Sequence, residues 1–216
     1  MKPDFSEQAI RERCPHCDTS SMAFAYPLGE TEGFHLVCDA HPLVEGHIML
    51  ISREHLPCVG AYPASLLADF ETAHRRCLDF VTQTFGKAAS FEHGHFGQTV
   101  FHSHVHVLPF AGTIHDVVPE GTDRCRDLPR IDGLAKHYER NGGYLFASLG
   151  DRMWTVDPDL AAPRFFRDRF AAALGRPERS DWKATHDDER MALVARQENQ
   201  RVQELWRNAA GSCSWP

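Results

Sequence analysis

The fold of this 216-residue chain depends most on one segment, Gly97-Gln98-Thr99-Val100-Phe101-His102-Ser103-His104-Val105-His106-Val107-Leu108-Pro109. Valine, phenylalanine and threonine favour extended backbone, so the stretch predicts a β-strand that ends at Pro109. Successive side chains of a strand point to opposite faces, which puts His102, His104 and His106 on the same face. Three imidazoles on one rigid strand are the feature that a functional interpretation has to explain.

The histidine-bearing face is interpreted as a reaction centre. Imidazole carries protons, attacks electrophiles and binds transition metals near neutral pH. The simpler alternative is an exposed polar face, but Phe101, Val105 and Val107 make the other face apolar, which predicts a strand packed on a core. Neighbouring histidines lie about 6.6 Å apart along a strand and the outer two about 13 Å apart, so the three alone are not expected to share one ion. One outer histidine is therefore expected to serve the scaffold, and the other two the chemistry.

Length and composition limit the possible functions. The chain has 216 residues, 42% of them hydrophobic, which is enough for one elaborated domain or for a domain with an extension. The net charge of -7 argues against sequence-independent binding to nucleic acid, although a local basic pocket can still bind a small phosphorylated ligand. The most hydrophobic stretch, residues 46–52, is too short to span a bilayer. We therefore expect small-molecule partners and no association with nucleic acid or membrane.

The cysteines predict a reducing compartment and a possible metal site. The chain has seven cysteines, and apart from the pair in Cys14-Pro15-His16-Cys17 they are far apart in the sequence. No signal-peptide pattern follows Met1, so a cytoplasmic location is expected. The Cys-x-x-Cys pair can be half a zinc site, a redox pair or a chance occurrence, and no βαβ pattern supports the redox interpretation. A zinc site needs two more ligands, and histidines have to supply them because there is no second such pair. His55 and one strand histidine are the candidates.

Periodicity along the whole chain predicts an α+β fold. The predicted elements of the first half are a helical lead-in at Phe5–Arg13, strands at Met22–Tyr26, Phe34–Asp39 and Gly46–Ser52, a long helix from Pro63 to Phe85, and a strand at Phe91 and Glu92 before the histidine strand. Those of the second half are a hairpin of Tyr144–Ser148 with Met153–Val156 and two helices at Ala162–Gly175 and Asp187–Ala210. We expect a catalytic domain at residues 1–110 and a C-terminal extension at residues 111–216 that packs on it.

Two blocks of the chain resemble the histidine triad (HIT) superfamily. Residues 97–109 follow the family's Gly-Gln-(Ser/Thr)-Val-aromatic lead and its three alternating histidines, and Asp39-Ala40-His41-Pro42-Leu43-Val44-Glu45-Gly46-His47-Ile48-Met49-Leu50-Ile51-Ser52-Arg53-Glu54-His55 matches the second block. The resemblance covers residues 14–110 and implies an antiparallel sheet with a packed long helix. The chain departs from the pattern at Ser103, where an apolar residue is usual. It also lacks the phosphate-loop asparagine of the small phosphoramidase branch, for which Glu92 and His93 are the candidate replacements.

The resemblance implies chemistry at phosphorus. His104 corresponds to the nucleophile that attacks the α-phosphorus of a nucleotide conjugate and forms a nucleotidyl-histidine, which water then hydrolyses. His106 corresponds to the residue that binds the phosphoryl oxygens. The other implied substrate contacts are phosphate binding by Gln98 and Thr99, ribose binding by Asp39 and a flanking position for His47. Members with an early Cys-x-x-Cys bind structural zinc, which here implies Cys14, Cys17, His55 and His102 as ligands. Small members commonly form dimers, so a homodimer is expected.

The predicted function is therefore a nucleotide phosphohydrolase that cleaves a dinucleoside polyphosphate or a nucleoside phosphoramidate. A nucleotidyltransferase or phosphorylase with the same intermediate is the nearest alternative, but such branches often replace the third histidine by glutamine, and the chain has His106. A hydrolase with a catalytic ion on the strand histidines and a non-enzymatic nucleotide-binding adaptor remain open. Arg164-Phe165-Phe166-Arg167 in the extension can close over the pocket, form a dimer contact or belong to an ordinary packed helix.

Overall fold

The computed structural model describes residues 13–184 and 188–212. In this part of the chain eight strands form one antiparallel sheet in the order β1-β2-β3-β5-β4-β7-β8-β6. The strands are β1 Pro27–Glu30, β2 Phe34–Cys38, β3 Ile48–Ser52, β4 Ala88–Glu92, β5 His104–Pro109, β6 Cys125–Asp127, β7 Leu145–Leu149 and β8 Arg152–Val156. The α-helices are α1 Ala64–Phe85, α2 Ile114–Val117, α3 Leu134–Asn141, α4 Phe165–Ala173 and α5 Glu189–Ser212. The α+β prediction is confirmed, and most of the predicted lead-in from Phe5 lies outside the described residues.

Both faces of the sheet are covered, and this places the histidines. Val105 and Val107 of β5 point to one face, where they join a buried cluster with α1 and the inner side of α5. Leu108 points to the other face, where it packs in a second cluster under α4. Because side chains alternate along a strand, His104 and His106 share the face of Leu108. The catalytic candidates therefore lie on the α4 side of the sheet, and the long helix α1 supports the opposite side.

The histidine strand is shorter than the sequence predicts. β5 begins at His104, so the strand assignment for residues 98–103 is wrong, as is the buried position predicted for Phe101, whose exposed fraction is 58%. Gly97 has a φ of +75°, and a Cβ at this position would lie 2.3 Å from the carbonyl oxygen of Ala162. Glycine is therefore required at this close approach, and the segment turns here before it enters the sheet.

The first predicted strand is also wrong. Met22–Phe24 forms a single 3₁₀ turn, and the strand begins later, at Pro27. β1 lies at the edge of the sheet, where proline is tolerated because one side of the strand needs no hydrogen-bond donor. The second, third and fourth strands, the long helix up to Gly86, the hairpin and both late helices are confirmed within a few residues.

The chain beyond residue 110 continues the same sheet. β7 pairs antiparallel with β4, with Ser90 opposite Ser148, and β8 and β6 follow outward. β4 is therefore hydrogen-bonded on both sides, to β5 and to β7. The division into a domain and an extension at residue 110 stays a prediction. Among the described residues, no helix combines the length and the hydropathy needed to cross a membrane.

Candidate functional site

The four predicted metal ligands lie together at the start of β5. The Sγ atom of Cys14 is 3.5 Å from Nδ1 of His102, and Sγ of Cys17 is 3.4 Å from the same nitrogen. Sγ of Cys17 is also 3.2 Å from Nδ1 of His55. All four ligand atoms lie within 4.8 Å of one another. The spacing argument, which assigned one outer histidine to the scaffold, thus agrees with where the chain places His102.

This cluster has the geometry of a tetrahedral metal site. With bonds of about 2.3 Å to sulfur and about 2.05 Å to nitrogen, tetrahedral zinc holds a sulfur and a nitrogen about 3.6 Å apart, close to the separations found here. Nε2 of His102 lies 2.7 Å from the carbonyl oxygen of Ser52, which can only accept a hydrogen bond. Nε2 therefore carries the proton, and the lone pair of Nδ1 is directed at the two sulfur atoms. Burial lowers the pKa of His102 to about 4, which keeps the imidazole neutral as a ligand must be.

His104 presents one ring nitrogen to a cavity of about 160 Å³. Its Nδ1 lies 2.6 Å from the carbonyl oxygen of His102, so Nδ1 carries the proton and donates. The lone pair is therefore on Nε2, the nitrogen that remains for the cavity. Burial lowers the pKa of His104 below its ordinary value, opposed by the hydrogen bond to His102. The result is a neutral, oriented imidazole, which is the form that can attack an electrophile.

His106 is oriented by a chain of hydrogen bonds that starts at the backbone. The N–H of Leu43 donates to Nδ1 of His47 over 3.1 Å, so the proton of neutral His47 is on Nε2. This nitrogen lies 2.9 Å from Nδ1 of His106 and donates to it. The proton of His106 is then on Nε2, at the far side of its ring. Burial lowers the pKa of His47 to about 4 and that of His106 well below its ordinary value, so both rings are neutral.

Asp39 is held by a cation from the extension. Nη1 of Arg167, on α4, lies 2.7 Å from Oδ2 of Asp39, and the N–H of His41 donates to Oδ1 over 2.8 Å. Burial raises the pKa of Asp39, but the charges of Arg167 and of the neighbouring histidines more than offset this, and the pKa lies below its ordinary value. Arg167 also donates to the carbonyl oxygen of His41. Asp39 is therefore a buried, ionised group whose charge is already balanced.

A second group of potential metal ligands consists of Asp39, His47 and His106. Its members are occupied by one another and by Arg167, because the two histidines share a hydrogen bond and the carboxylate has a guanidinium partner. Divalent ions are held by lone pairs, and the pair on Nδ1 of His106 already accepts this bond. The interactions in this group therefore favour a polar network over a catalytic ion.

The remaining predicted substrate residues fall into two sets. Thr99 and His93 line the cavity, and Glu92 does not. Gln98 is absent from the cavity lining and donates its amide to the carbonyl oxygen of Pro57 over 2.9 Å, so its position does not support the predicted phosphate contact. Glu92 is fully buried and accepts hydrogen bonds from Ser103 and neighbouring groups, so it supports the sheet.

The cavity lining includes residues that were not predicted as site residues, among them His16, Arg167 and Trp182. His16 lines the cavity from inside the Cys-x-x-Cys pair, and Arg167 and Trp182 reach it from the extension. The position of His16 could have been inferred. His16 lies between Cys14 and Cys17 in the sequence, and a turn that holds both cysteines beside His102 brings it close to His104, which is two residues from His102. Arg167 belongs to the segment Arg164-Phe165-Phe166-Arg167, for which closing over the pocket was one of three interpretations, and Arg164 and Arg167 do line the cavity. For Trp182 the sequence carries no signal, since its position depends on how the segment after α4 packs on the sheet.

Comparison with known proteins agrees with the two histidine-bearing blocks. The model of the family described as HIT domain matches residues 25–112. A HIT family hydrolase from Clostridium thermocellum is 25% identical, with 47% of this chain and 96% of that chain covered and a TM-score of 0.39. A member of the HIT family from Bacillus subtilis is 23% identical, with 47% and 75% covered and a TM-score of 0.40. A zinc-bound histidine triad family protein from Mycobacterium smegmatis is 22% identical, with 46% and 76% covered and a TM-score of 0.37.

Comparison with curated proteins gives no match. The family model nevertheless spans both Asp39–His55 and the three histidines, which are the blocks that carry the resemblance. The strands in this range and the helix between them have the predicted arrangement. Residues 25–112 of this chain, 88 of its 216 residues, therefore match the HIT domain model.

Proposed function

We propose that the protein is a nucleotide phosphohydrolase that cleaves a nucleotide conjugate at the α-phosphate through a nucleotidyl-histidine. The observation that supports this most directly is the hydrogen bond from Nδ1 of His104 to the carbonyl oxygen of His102, which leaves a neutral Nε2 for the cavity. Neutral imidazole is nucleophilic near pH 7, and a covalent intermediate divides one difficult displacement into two easier ones. The substrate class is a dinucleoside polyphosphate or a nucleoside phosphoramidate.

In the first step, the lone pair on Nε2 of His104 attacks the α-phosphorus. A phosphorus–nitrogen bond forms, and the bond to the leaving group breaks with its electron pair passing to that group. In the second step, the oxygen of a water molecule bonds to phosphorus, the phosphorus–nitrogen bond breaks with its electrons returning to Nε2, and the proton of water passes to solvent. Nε2–H of His106 donates to a phosphoryl oxygen in both steps. Hydrogen bonds to oxygens that gain charge are stabilising in such transition states.

The rest of the cavity suits a nucleotide. Arg164 and Arg167 line it, and each is held by carboxylates of the chain, Arg167 by Asp39 and Arg164 by Asp168 and Asp181. The rings of His41 and Trp182 stack with centroids 5.7 Å apart, and both residues line the same cavity. Aromatic surfaces of this kind stack favourably on a nucleobase. Phosphate and base contacts would then come from opposite ends of the chain, since Trp182 belongs to the extension.

The ion that we propose for the Cys14, Cys17, His55 and His102 cluster is zinc. Two thiolates and two imidazoles are a donor set that zinc prefers, and four protein ligands leave no open position for a substrate. The ion would fix the loop that contains Cys14 and the start of β5. Thiolate ligands require a reducing environment, so we place the protein in the cytoplasm. The homodimer stays a prediction.

The function is tested with a panel of adenylated and guanylated compounds. The expected result is release of a nucleoside monophosphate and a covalent adduct on His104 in the intact-protein mass spectrum. The variant His104→Ala should lose turnover and adduct, whereas His35→Ala, which changes a histidine outside the cavity, should keep both. If the product changes from a nucleoside monophosphate to a nucleoside diphosphate when phosphate is added, the protein is a phosphorylase. Turnover of His104→Ala equal to that of the unaltered chain, or no turnover of any compound by the latter, would refute the proposal.

A further inference from the structure

His16 has no role in the chemistry described above, yet it lies beside the proposed nucleophile. Its ring centroid is 4.7 Å from that of His104, and the two rings meet edge to face. The ring centroid of His16 is 5.6 Å from that of His102. The ring centroid of His106 is 5.1 Å from that of His104. Only 7% of His16 is exposed, and the residue lines the cavity. His104 is therefore accompanied by two imidazoles that reach the cavity from different parts of the chain.

The polar atoms of His16 are not fully satisfied. Its Nδ1 is buried and has no hydrogen-bond partner among the residues that the structure describes. A buried polar atom without a partner is destabilising, and such atoms in native proteins frequently mark a site that a ligand completes. The ring therefore has a hydrogen-bonding nitrogen at a position where the described residues provide no partner for it.

The position of His16 is fixed by the loop that carries it. The N–H of Cys17 donates to the carbonyl oxygen of Cys14 over 3.0 Å, which closes a tight turn around Pro15 and His16. The side chain of Ser21 donates to the carbonyl oxygen of Pro15 over 2.5 Å. His16 is not a member of the Cys/His cluster, whose four tetrahedral positions are taken by other residues. The turn thus directs its two cysteines to the cluster and its histidine to the cavity.

We infer that His16 is a further catalytic residue, which binds the phosphoryl group of the substrate while that group is bonded to His104. This inference rests on the proposed function and adds one contact to it. A phosphoryl oxygen accepts hydrogen bonds and donates none, so His16 donates to it from a ring nitrogen. His106 donates to another oxygen of the same group. One donor is then on the loop and the other on β5. Together they stabilise the negative charge on the phosphoryl oxygens in the transition state.

Three substitutions separate the polar contact from simple packing. His16→Phe keeps an aromatic ring and removes both nitrogens, His16→Asn keeps a donor near the position of Nδ1, and His16→Gln keeps one near Nε2. The matched control is His137→Phe, in α3 away from the cavity. Affinity for a nucleoside monophosphate is measured by calorimetry, and kcat and KM are measured on the best substrate of the panel. Metal content and the melting temperature are determined for every variant.

We expect His16→Phe to lower both the affinity for the monophosphate and kcat/KM by about 10- to 100-fold, the usual effect of losing a hydrogen bond to a charged group. One of the two amide variants should recover most of this loss, and metal content should not change. His16→Phe with unchanged affinity and kcat/KM would refute the inference and leave the hydrolase intact. Lost affinity in a protein without turnover would support the contact and refute the hydrolase. An unaltered chain that binds no monophosphate and turns over no compound would refute both.

Discussion

Lowering the pH from 7.5 to 5.5 should strongly reduce the stability of this protein. His47, His74 and His93 are buried and lie outside the Cys/His cluster. Burial is the largest cause that lowers their pKa, to about 4 for His47 and His74 and to about 3 for His93. In the unfolded chain the same side chains titrate near 6.5. Between these limits the unfolded chain takes up protons that the folded chain excludes, so stability is present above pH 6.5 and is lost as the pH falls.

The size of the effect follows from the number of protons. At pH 5.5 the unfolded chain carries close to three more protons on these histidines than the folded chain, which corresponds to about 3.6 kcal/mol in the free energy of unfolding per pH unit. Glu92 opposes this, because burial, only partly offset by hydrogen bonds from Tyr144 and its neighbours, raises its pKa to about 7. The folded chain holds about one proton more at this group, which removes about 1.2 kcal/mol per pH unit. The three histidines outweigh Glu92, and these four groups together give a net slope of roughly 2 kcal/mol per pH unit. His104 and His106, whose pKa is also lowered by burial, change the stability in the same direction.

Urea unfolding followed by circular dichroism at pH 7.5, 6.5 and 5.5 measures this slope. His74→Gln removes one titrating group far from the cavity, and the amide can still hydrogen-bond to Ser90 as His74 does over 2.9 Å. It should make the slope shallower by about 1.2 kcal/mol per pH unit, whereas Glu92→Gln should make it steeper by a similar amount. The slopes are compared rather than the absolute values, so a general loss of stability in either variant does not affect the test. An equal free energy of unfolding at pH 7.5 and 5.5 would refute the reasoning.

Three further outcomes follow from single contacts. Cys14→Ser should abolish bound zinc in metal analysis and lower the melting temperature, whereas Cys125→Ser, on β6, should change neither; zinc retained by the first variant would contradict the site. Arg167→Met should lower the free energy of unfolding in urea by about 3–5 kcal/mol, because it leaves Asp39 charged and unpaired. The double variant Arg167→Met/Asp39→Asn should recover part of this free energy. Equal losses in the single and double variants would contradict the ion pair. Gln98→Ala should leave KM unchanged, and a KM raised tenfold would show that its amide reaches the substrate.

Local patterns predicted most of the fold because most of its elements depend on local periodicity. The helix Ala64–Phe85 has an apolar stripe that continues up to Gly86, and the hairpin of β7 and β8 has its turn between two strongly apolar runs. The start of β5 could not be predicted in this way. The segment before it turns at Gly97, which lies close to Ala162, a residue that no local pattern associates with it. Extended-backbone preference overestimated the strand by six residues, 98–103.

The candidate site could be predicted where one segment determines it and not where distant segments meet. Alternation in a strand is enough to put His104 and His106 on one face, and ligand chemistry is enough to associate His102 with the cysteines. The partner of Asp39 is a different case, because Arg167 lies 128 residues further along the chain. A carboxylate assigned to ribose hydroxyls is found with a buried guanidinium. Sequence patterns indicate which groups are reactive, but the charges that balance them are set by tertiary packing.

The cavity is built from three parts of the chain, and each part supplies a different requirement of the proposed reaction. The turn at Cys14–Cys17 brings His16, β5 brings the nucleophile His104, and α4 brings Arg167 to Asp39. The family match covers only the second of these in full, since it extends from residue 25 to residue 112. Without Arg167, Asp39 would be a buried carboxylate with no cation beside it, which is unfavourable by several kcal/mol. Arg167 of the extension is therefore part of the electrostatics of the site, because its charge balances that of Asp39.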